Sequence, residues 1–171
     1  MEIRAEEPED IAAIRRAHQQ AFHPSPNEAC LVELLRQARK APISLVALSE
    51  GQIVGHVLFS PIAIVPAPPA SIRGLGLAPI GVLPAFQKQG IGSKLIEQGL
   101  RDCRRSGYDW VVVLGDPHFY SRFGFARARA YQLENEYDAD EEFMVMELRT
   151  GALRGIKGML KYRPEFNEAG C

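Results

Sequence analysis

The chain has 171 residues, of which 46% are hydrophobic and 24% charged, with a net charge of −1 at pH 7. This length suits one compact domain with its own core, and the balanced charge gives no general attraction to nucleic acid or to an anionic membrane. We therefore expect a single domain over residues 1–171, with a disordered tail from about residue 164, and no nucleic-acid or membrane partner.

Targeting signals and cysteine pattern indicate the compartment. The N-terminal residues lack the basic start and apolar stretch of a signal peptide, and no apolar run approaches the roughly 20 residues that span a bilayer. Cys30, Cys103 and Cys171 show no C-x-x-C spacing, which argues against a disulfide framework or a zinc site. We interpret Cys30 and Cys103 as buried helix residues and Cys171 as a frayed terminal thiol, and we expect a cytoplasmic protein without metal.

Strand and helix signals alternate through the first half of the chain. The predicted elements are a strand at 3–5, a helix after Pro8, a helix with Asn27 as its N-cap, and strands at 43–48 and 52–59 that meet in a hairpin around Glu50-Gly51. Residues 62–65 extend the second of these strands. The apolar face of the first helix includes His18 at helical spacing.

The centre of the chain predicts a βαβ unit. Residues 75–82 form a strand, an amphipathic helix runs from Ile91 to a left-handed cap at Gly107, and 110–114 is an apolar run that suits a strand buried on both faces. Two strands joined through a helix are parallel. Because hairpins flank this unit, we expect a mixed sheet.

A glycine loop joins the first of these strands to the helix. A helix N-terminus offers N–H groups to an anion, and glycine lets a phosphate approach the backbone. The loop fits neither the Walker pattern nor the G-x-G-x-x-G dinucleotide pattern. What remains, Gln87-x-x-Gly90-x-Gly92, resembles the pyrophosphate loop of GNAT acetyltransferases, which is [Q/R]-x-x-G-x-[G/A] between a strand and a helix.

A second motif follows the buried strand. The segment from Tyr120 to Phe125 matches the Y-x-x-x-G-F that ends a short helix in GNAT enzymes, and two motifs in the right order are more specific than either alone. Stretches 55–61 and 143–148 are further similar to the YhbS-like bacterial branch of GNAT N-acetyltransferases. The resemblance covers nearly the whole chain. It implies a single-domain α/β fold whose mixed, mostly antiparallel sheet contains a central splayed pair of parallel strands, flanked by helices.

The resemblance also implies a reaction and a set of site residues. The chain would take acetyl-CoA as cosubstrate and move its acetyl group directly onto an amine of a small molecule, peptide or protein. The cofactor-binding residues implied are Ile80, Gly81, Val82, Gln87, Lys88, Gln89, Gly90, Ile91, Gly92, Ser93 and Tyr120. The N–H of Val82 is expected to polarise the thioester carbonyl. Tyr120, a phenol with a pKa of about 10, is expected to protonate the leaving thiolate as general acid.

The general base is left open. Many GNAT enzymes carry a carboxylate on the strand before the loop, but residues 72–82 contain none. The two catalytic candidates are therefore His56 and Glu28, with Asp116, His118 or a water chain as further options. An imidazole has the most suitable unperturbed pKa, about 6.5.

Two further questions stay open at this level. The acidic run 138–142 either attracts a cationic acceptor or is a solvated turn. A sensor domain that binds acyl-coenzyme A without turnover is the alternative function, and the presence of Tyr120, which a pure binder does not need, favours the enzyme. The resemblance is also compatible with a homodimer.

Overall fold

The computed structural model describes residues 1–69 and 71–169. The strands in these ranges are β1 (Glu2–Ala5), β2 (Ile43–Ser49), β3 (Gln52–Val65), β4 (Gly74–Val82), β5 (Trp110–Leu114), β6 (Ala126–Arg127), β7 (Leu133–Asn135), β8 (Phe143–Glu147) and β9 (Gly158–Lys161). The helices are α1 (Ile11–Ala21), α2 (Asn27–Gln37), α3 (Ile91–Arg105), α4 (Pro117–Tyr120) and α5 (Glu165–Glu168).

Strand pairing confirms the mixed α/β sheet. The order is β1-β2-β3-β4-β5-β8-β6, and β9 pairs with both β3 and β7. β4 and β5 are parallel, as predicted, whereas β2 is antiparallel to β3 and β5 to β8. The β4–β5 register runs from Gly74 opposite Trp110 to Gly76 opposite Val112. β4 itself continues from there to Val82, where the glycine loop begins.

The chain divides into two compact units, and the first comprises residues 1–60, 78–99 and the C-terminal residues from Pro164. The core of this unit consists of apolar residues from α1, α2, β2 and β3 with one from the C-terminus: Ile14, Leu31, Val32, Leu35, Val46, Ile53, Leu58 and Ala169. Full burial of an aliphatic side chain of this size contributes about 1.5–3 kcal/mol. The expected disordered tail from about residue 164 differs from what is observed, because α5 forms there and Ala169 is buried in this core.

The second unit comprises residues 61–77 and 100–163 and has its own core. Its buried members come mainly from β3, β5, β8 and β9: Ile62, Ile64, Trp110, Val112, Ala128, Leu133, Phe143, Val145, Leu153 and Leu160. Residues 110–113 of the apolar run in β5 are therefore buried as the sequence predicts, whereas Leu114 is exposed.

Two local expectations are wrong. Asn27 is not an N-cap, because α2 begins at Asn27 with Pro26 before it, and the Asn27 N–H instead donates to Ser25 Oγ at 3.2 Å.

Cys103 is a buried free thiol, as expected, and burial raises its pKa to about 12. Cys30 on α2, however, is disulfide-bonded, contrary to the expectation of reduced cysteines. Cys171 lies outside the described residues.

Two kinds of feature are absent from the described ranges. No helix there is long and apolar enough to cross a membrane. Across the same residues, no group of three or more His, Cys, Asp or Glu side chains could hold a metal ion.

Candidate functional site

The glycine loop is held by its own glutamines. Gln87 Nε2 donates to the carbonyl oxygen of Val82 at 2.9 Å and so ties the loop to the end of β4. Gln89 Nε2 donates to the carbonyl oxygen of Ala85 at 3.2 Å. Both side chains thus bond to the loop backbone. This bond is a structural explanation for the glutamine of the motif, which the sequence pattern alone does not provide.

Two left-handed residues shape the same loop. Lys88 has φ 61° and Gly90 has φ 83°. Gly90 adopts this conformation without a Cβ penalty, whereas a non-glycine residue such as Lys88 does so at a cost of about 1 kcal/mol or more. Left-handed residues in a turn can point neighbouring N–H groups to one side, which creates an anion-binding concavity. The Lys88 side chain is exposed beside them.

The start of α3 completes the loop. The first bond into this helix runs from the Lys94 N–H to the Gly90 carbonyl at 3.1 Å. The N–H groups of Ile91, Gly92 and Ser93 precede that bond and carry the positive end of the helix dipole. The loop therefore presents the kind of N–H cluster that binds a phosphate group.

A side chain at position 92 would meet no clash within the described residues. A Cβ placed on it would lie 3.9 Å from Ile80 Cδ1 and 4.0 Å from Val82 Cγ2, its nearest neighbours among the described residues. Its φ is not in the left-handed range either. Within the described residues, neither packing nor backbone conformation requires glycine here, and glycine lets a ligand approach the backbone. The structure thus places Ile80 and Val82 beside Gly92. That the three belong to one binding site stays a prediction.

Tyr120 is packed tightly in the second unit. Its ring lies against Gly115, where an added Cβ would be only 2.3 Å from Tyr120 Cε2. Phe119 and Phe125 meet the ring edge-on, with centroids 5.0 and 5.9 Å away. Gly115 is therefore the residue that allows the phenol to take this position.

The Tyr120 phenol is a neutral donor. Burial raises its pKa to about 12, so it stays protonated at neutral pH. Within the described ranges its hydroxyl has no hydrogen-bond partner. Tyr120 ends α4. Asp116 is the N-cap of this helix, and its carboxylate accepts the His118 N–H at 2.9 Å. Asp116 and His118 are themselves exposed.

The two base candidates have different surroundings. Glu28 is half-buried in the first turn of α2 and accepts a bond from Ser25 Oγ at 3.1 Å. His56 on β3 is fully buried, with Nε2 2.7 Å from Ser44 Oγ and Nδ1 2.8 Å from His18 Nε2. His56 Nε2 also lies 3.3 Å from Glu6 Oε2. Its partner His18 was placed by the sequence analysis on a helix face without a function. The sequence signal that could have identified His18 is a lone imidazole on the apolar face of a helix.

Burial and hydrogen bonds set the ionisation states of His18, His56 and Glu6. Burial lowers the pKa of His18 to about 3, helped by the neighbouring His56, and burial also lowers the pKa of His56. Burial alone would raise the pKa of Glu6, but hydrogen bonds from His56, Arg36 and Ser44 outweigh it and hold that pKa well below its usual range. Both imidazoles are therefore neutral and Glu6 is ionised at neutral pH.

The acidic run lines a cavity of about 810 Å³ in the second unit. Asp138 and Asp140 line it together with Arg129 and Lys157. Arg129 Nη1 is 3.0 Å from Asp140 Oδ2, so part of the negative charge is already paired. The cavity is of mixed charge and does not select a cationic ligand by itself.

Comparison with known proteins identifies relatives over nearly the whole chain. Residues 2–128 match the family model described as acetyltransferase (GNAT) domain. The chain is 37% identical over 169 residues to the uncharacterized N-acetyltransferase YhbS of Escherichia coli K12, which covers 98% of this chain and 99% of that protein. The uncharacterized N-acetyltransferase YjhQ of the same organism is 34% identical over 117 residues, covering 68% and 64% of the two chains.

Two solved structures share this fold. The crystal structure of YhbS from E. coli in complex with CoA has a TM-score of 0.91 at 35% identity and covers 97% of this chain and 91% of that one. A GNAT family acetyltransferase from Brucella melitensis in complex with acetyl-CoA has a TM-score of 0.80 at 35% identity, with coverage of 96% and 97%.

Proposed function

This chain belongs to the GNAT family of acetyltransferases, and we propose that it moves an acetyl group from acetyl-CoA directly onto an amine. The observation that carries the proposal is the loop before α3, where neither packing nor φ requires glycine at position 92 and three N–H groups lie at the helix start. The CoA and acetyl-CoA bound to the two solved relatives support the choice of ligand.

The loop residues supply the proposed cofactor contacts. The N–H groups of Ile91, Gly92 and Ser93 bind the pyrophosphate, with the helix dipole adding about 0.3–1 kcal/mol. The exposed Lys88 and Lys94 add positive charge beside them. Gln87 and Gln89 act by holding the loop, since each already donates to a backbone carbonyl.

The proposed chemistry forms a C–N bond and breaks the C–S bond of the thioester. The amine attacks the carbonyl carbon, whose oxygen accepts a bond from the Val82 N–H, and the strand from Ile80 to Val82 holds the pantetheine arm. Tyr120 donates its proton to the departing thiolate, a role typically worth 10²–10⁴-fold in rate. The phenol is protonated before the reaction, although its raised pKa makes it a weaker acid than an ordinary tyrosine.

The amine must lose a proton, and His56 and Glu28 remain the predicted bases. The contacts favour Glu28 of the two. Its hydroxyl partner is Ser25, which leaves the carboxylate further acceptor capacity. His56 uses both ring nitrogens inside the protein.

Thiol release from acetyl-CoA tests this proposal. Release is followed against polyamines, amino acids, aminoglycosides and peptides, for the wild type, Tyr120→Phe and the matched control Tyr108→Phe. We expect amine-dependent release that falls at least about tenfold in Tyr120→Phe and not in the control. Binding without release for any amine would favour a sensor, and absence of binding would overturn the proposal.

The acceptor class, a small molecule, peptide or protein, is defined by that panel. A cytoplasmic location and a homodimer stay predictions from the sequence. Sedimentation of the purified chain with and without CoA tests the second of these.

A further inference from the structure

A line of buried hydrogen bonds runs through the first unit from Glu6 to His18. The Glu6 carboxylate accepts two bonds from the Arg36 guanidinium, at 2.9 and 3.1 Å, and one from the Ser44 hydroxyl at 2.6 Å. Ser44 Oγ is 2.7 Å from His56 Nε2, and His56 Nδ1 is 2.8 Å from His18 Nε2. Both imidazoles are 0% exposed. In the proposed transfer chemistry His56 is one of the two predicted bases, and Glu6, Ser44 and His18 have no role.

The ionised end fixes both imidazole tautomers. A carboxylate only accepts, so the Ser44 proton points to Glu6 and the Ser44 oxygen accepts from His56 Nε2–H. The other neighbour of His56 Nε2, Glu6 Oε2 at 3.3 Å, also requires a proton on that nitrogen. His56 Nδ1 is then an acceptor, and His18 Nε2 must donate to it. His18 Nδ1 therefore carries a lone pair rather than a proton.

That lone pair faces Gly81. His18 Nδ1 is buried and has no hydrogen-bond partner in the described part of the chain. A Cβ placed on Gly81 would lie 2.8 Å from His18 Nδ1, 3.2 Å from its Cε1 and 3.4 Å from Ala21 Cβ. The φ of Gly81 is not in the left-handed range. Glycine is needed at position 81 because the imidazole occupies the space of a side chain.

We propose that His18 is a positioning residue for acetyl transfer, whose imidazole sets the backbone of β4 at Gly81 and so aims the Val82 N–H at the thioester. This inference rests on the proposed function, which assigns that backbone to acetyl-CoA. Gly81 has no side chain, so its place depends on what packs against its Cα. The bond to His56 stops the ring from turning, and Glu6 therefore acts on β4 through two histidines.

A direct proton-accepting role for His18 does not fit the same geometry. Its Nδ1 lies against Gly81 and has no access to solvent. Burial also lowers the pKa of His18 to about 3, so about one molecule in 10⁴ carries the imidazolium at pH 7. A ring that stays neutral and fixed is suited to packing rather than to accepting a proton.

The carbonyl band of bound [1-¹³C]acetyl-CoA reports the contact that His18 is proposed to set. Infrared spectra are compared for wild type, His18→Ala, His18→Gln and the exposed control His23→Gln, with CoA affinity measured by calorimetry. In the wild type, a bond from the Val82 N–H lowers the carbonyl frequency on binding. We expect His18→Ala to lose at least about half of this lowering, and about tenfold in turnover, while CoA affinity changes less than about threefold.

The conservative variant separates positioning from a general loss of packing. Glutamine at position 18 can still donate an N–H to His56 and fill much of the ring's space, so His18→Gln should retain most of the frequency lowering. It also keeps the test valid if His18→Ala fails to fold. His23→Gln should match the wild type.

A second pair of variants tests the contact itself. Gly81→Ala alone places a methyl group 2.8 Å from His18 Nδ1, and it should reduce the frequency lowering. Adding His18→Ala makes room for that methyl group, so the double variant should recover part of the effect. A double variant no better than Gly81→Ala would overturn the proposal.

The two proposals fail in different ways. If the wild type binds acetyl-CoA with a lowered carbonyl frequency and both His18→Ala and His18→Gln leave it unchanged, the positioning role is overturned and the proposed function stands. If the wild type binds neither CoA nor acetyl-CoA, the proposed function is overturned and this inference falls with it.

Discussion

A buried neutral imidazole should make this protein lose stability in mild acid. Burial lowers the pKa of His18 to about 3 in the folded chain, whereas in the unfolded chain it returns to about 6.5. Between these values the unfolded state binds a proton that the folded state does not, so the free energy of unfolding falls as the pH falls. From pH 7 to pH 5 the loss due to His18 is about 2 kcal/mol. This loss depends mainly on the pKa of His18 in the unfolded chain, because pH 5 lies well above its pKa in the folded chain.

Urea unfolding followed by circular dichroism at pH 7 and pH 5 measures this loss. His18→Gln removes the titrating ring and keeps an N–H donor for His56. It should therefore lose about 2 kcal/mol less than the wild type over the same pH interval. His56 and Glu6 titrate in both proteins, so their contributions cancel in the comparison, and the exposed His23→Gln should behave as wild type. Equal losses in the wild type and His18→Gln would refute a buried, neutral His18.

Three further variants probe the loop and the tyrosine. Gly92→Ala should weaken CoA binding without lowering the melting temperature, because an added Cβ meets no described atom closer than 3.9 Å. Unchanged affinity in calorimetry would contradict a ligand site at this glycine. Gln87→Glu cannot donate to the Val82 carbonyl. We expect CoA affinity to fall about tenfold, because the hydrogen bond that holds the loop is lost and a negative charge is added. Wild-type affinity would contradict the role of that hydrogen bond. Gly115→Ala should displace the Tyr120 ring and lower stability by about 1–3 kcal/mol, with reduced thiol release per folded molecule; normal release would contradict the packing argument.

Features set by local sequence were predicted well. The strand and helix around the glycine loop follow from periodicity, and the left-handed Gly107 follows from its position after a helix. The parallel pairing of β4 and β5 follows from the helix between them. These features depend on neighbours in the chain, which a single sequence displays directly.

Features set by distant neighbours could not be predicted. His18 and His56 are 38 positions apart, as are Glu6 and Ser44, and no local pattern pairs them. The requirement for glycine at position 81 is likewise invisible, because it comes from the imidazole that packs there. His56 was therefore predicted as a base in its own right, although in the structure both of its nitrogens are bonded within the protein.

Local patterns also failed where two residues compete for one role. Asn27 is a good capping residue by type, but Ser25 receives the N–H of Asn27 and the helix begins one residue after Pro26. Lys88 is a further case, since nothing about a lysine predicts a left-handed φ. Both depend on which of several nearby conformations the surrounding structure stabilises.

The first six residues carry a consequence for how this protein can be handled. A short N-terminal strand is commonly regarded as expendable, so that trimming it or fusing a tag close to it is considered harmless. Here β1 leads directly to Glu6, which holds Ser44 and Arg36 and accounts for the tautomer of His56. Proteolytic loss of this segment would leave the Ser44 proton without its acceptor and free both histidines to exchange tautomers. A preparation cleaved after residue 6 would then keep its fold and its glycine loop yet differ in turnover from the intact chain. Comparisons of specific activity should therefore include mass spectrometry of the N-terminus.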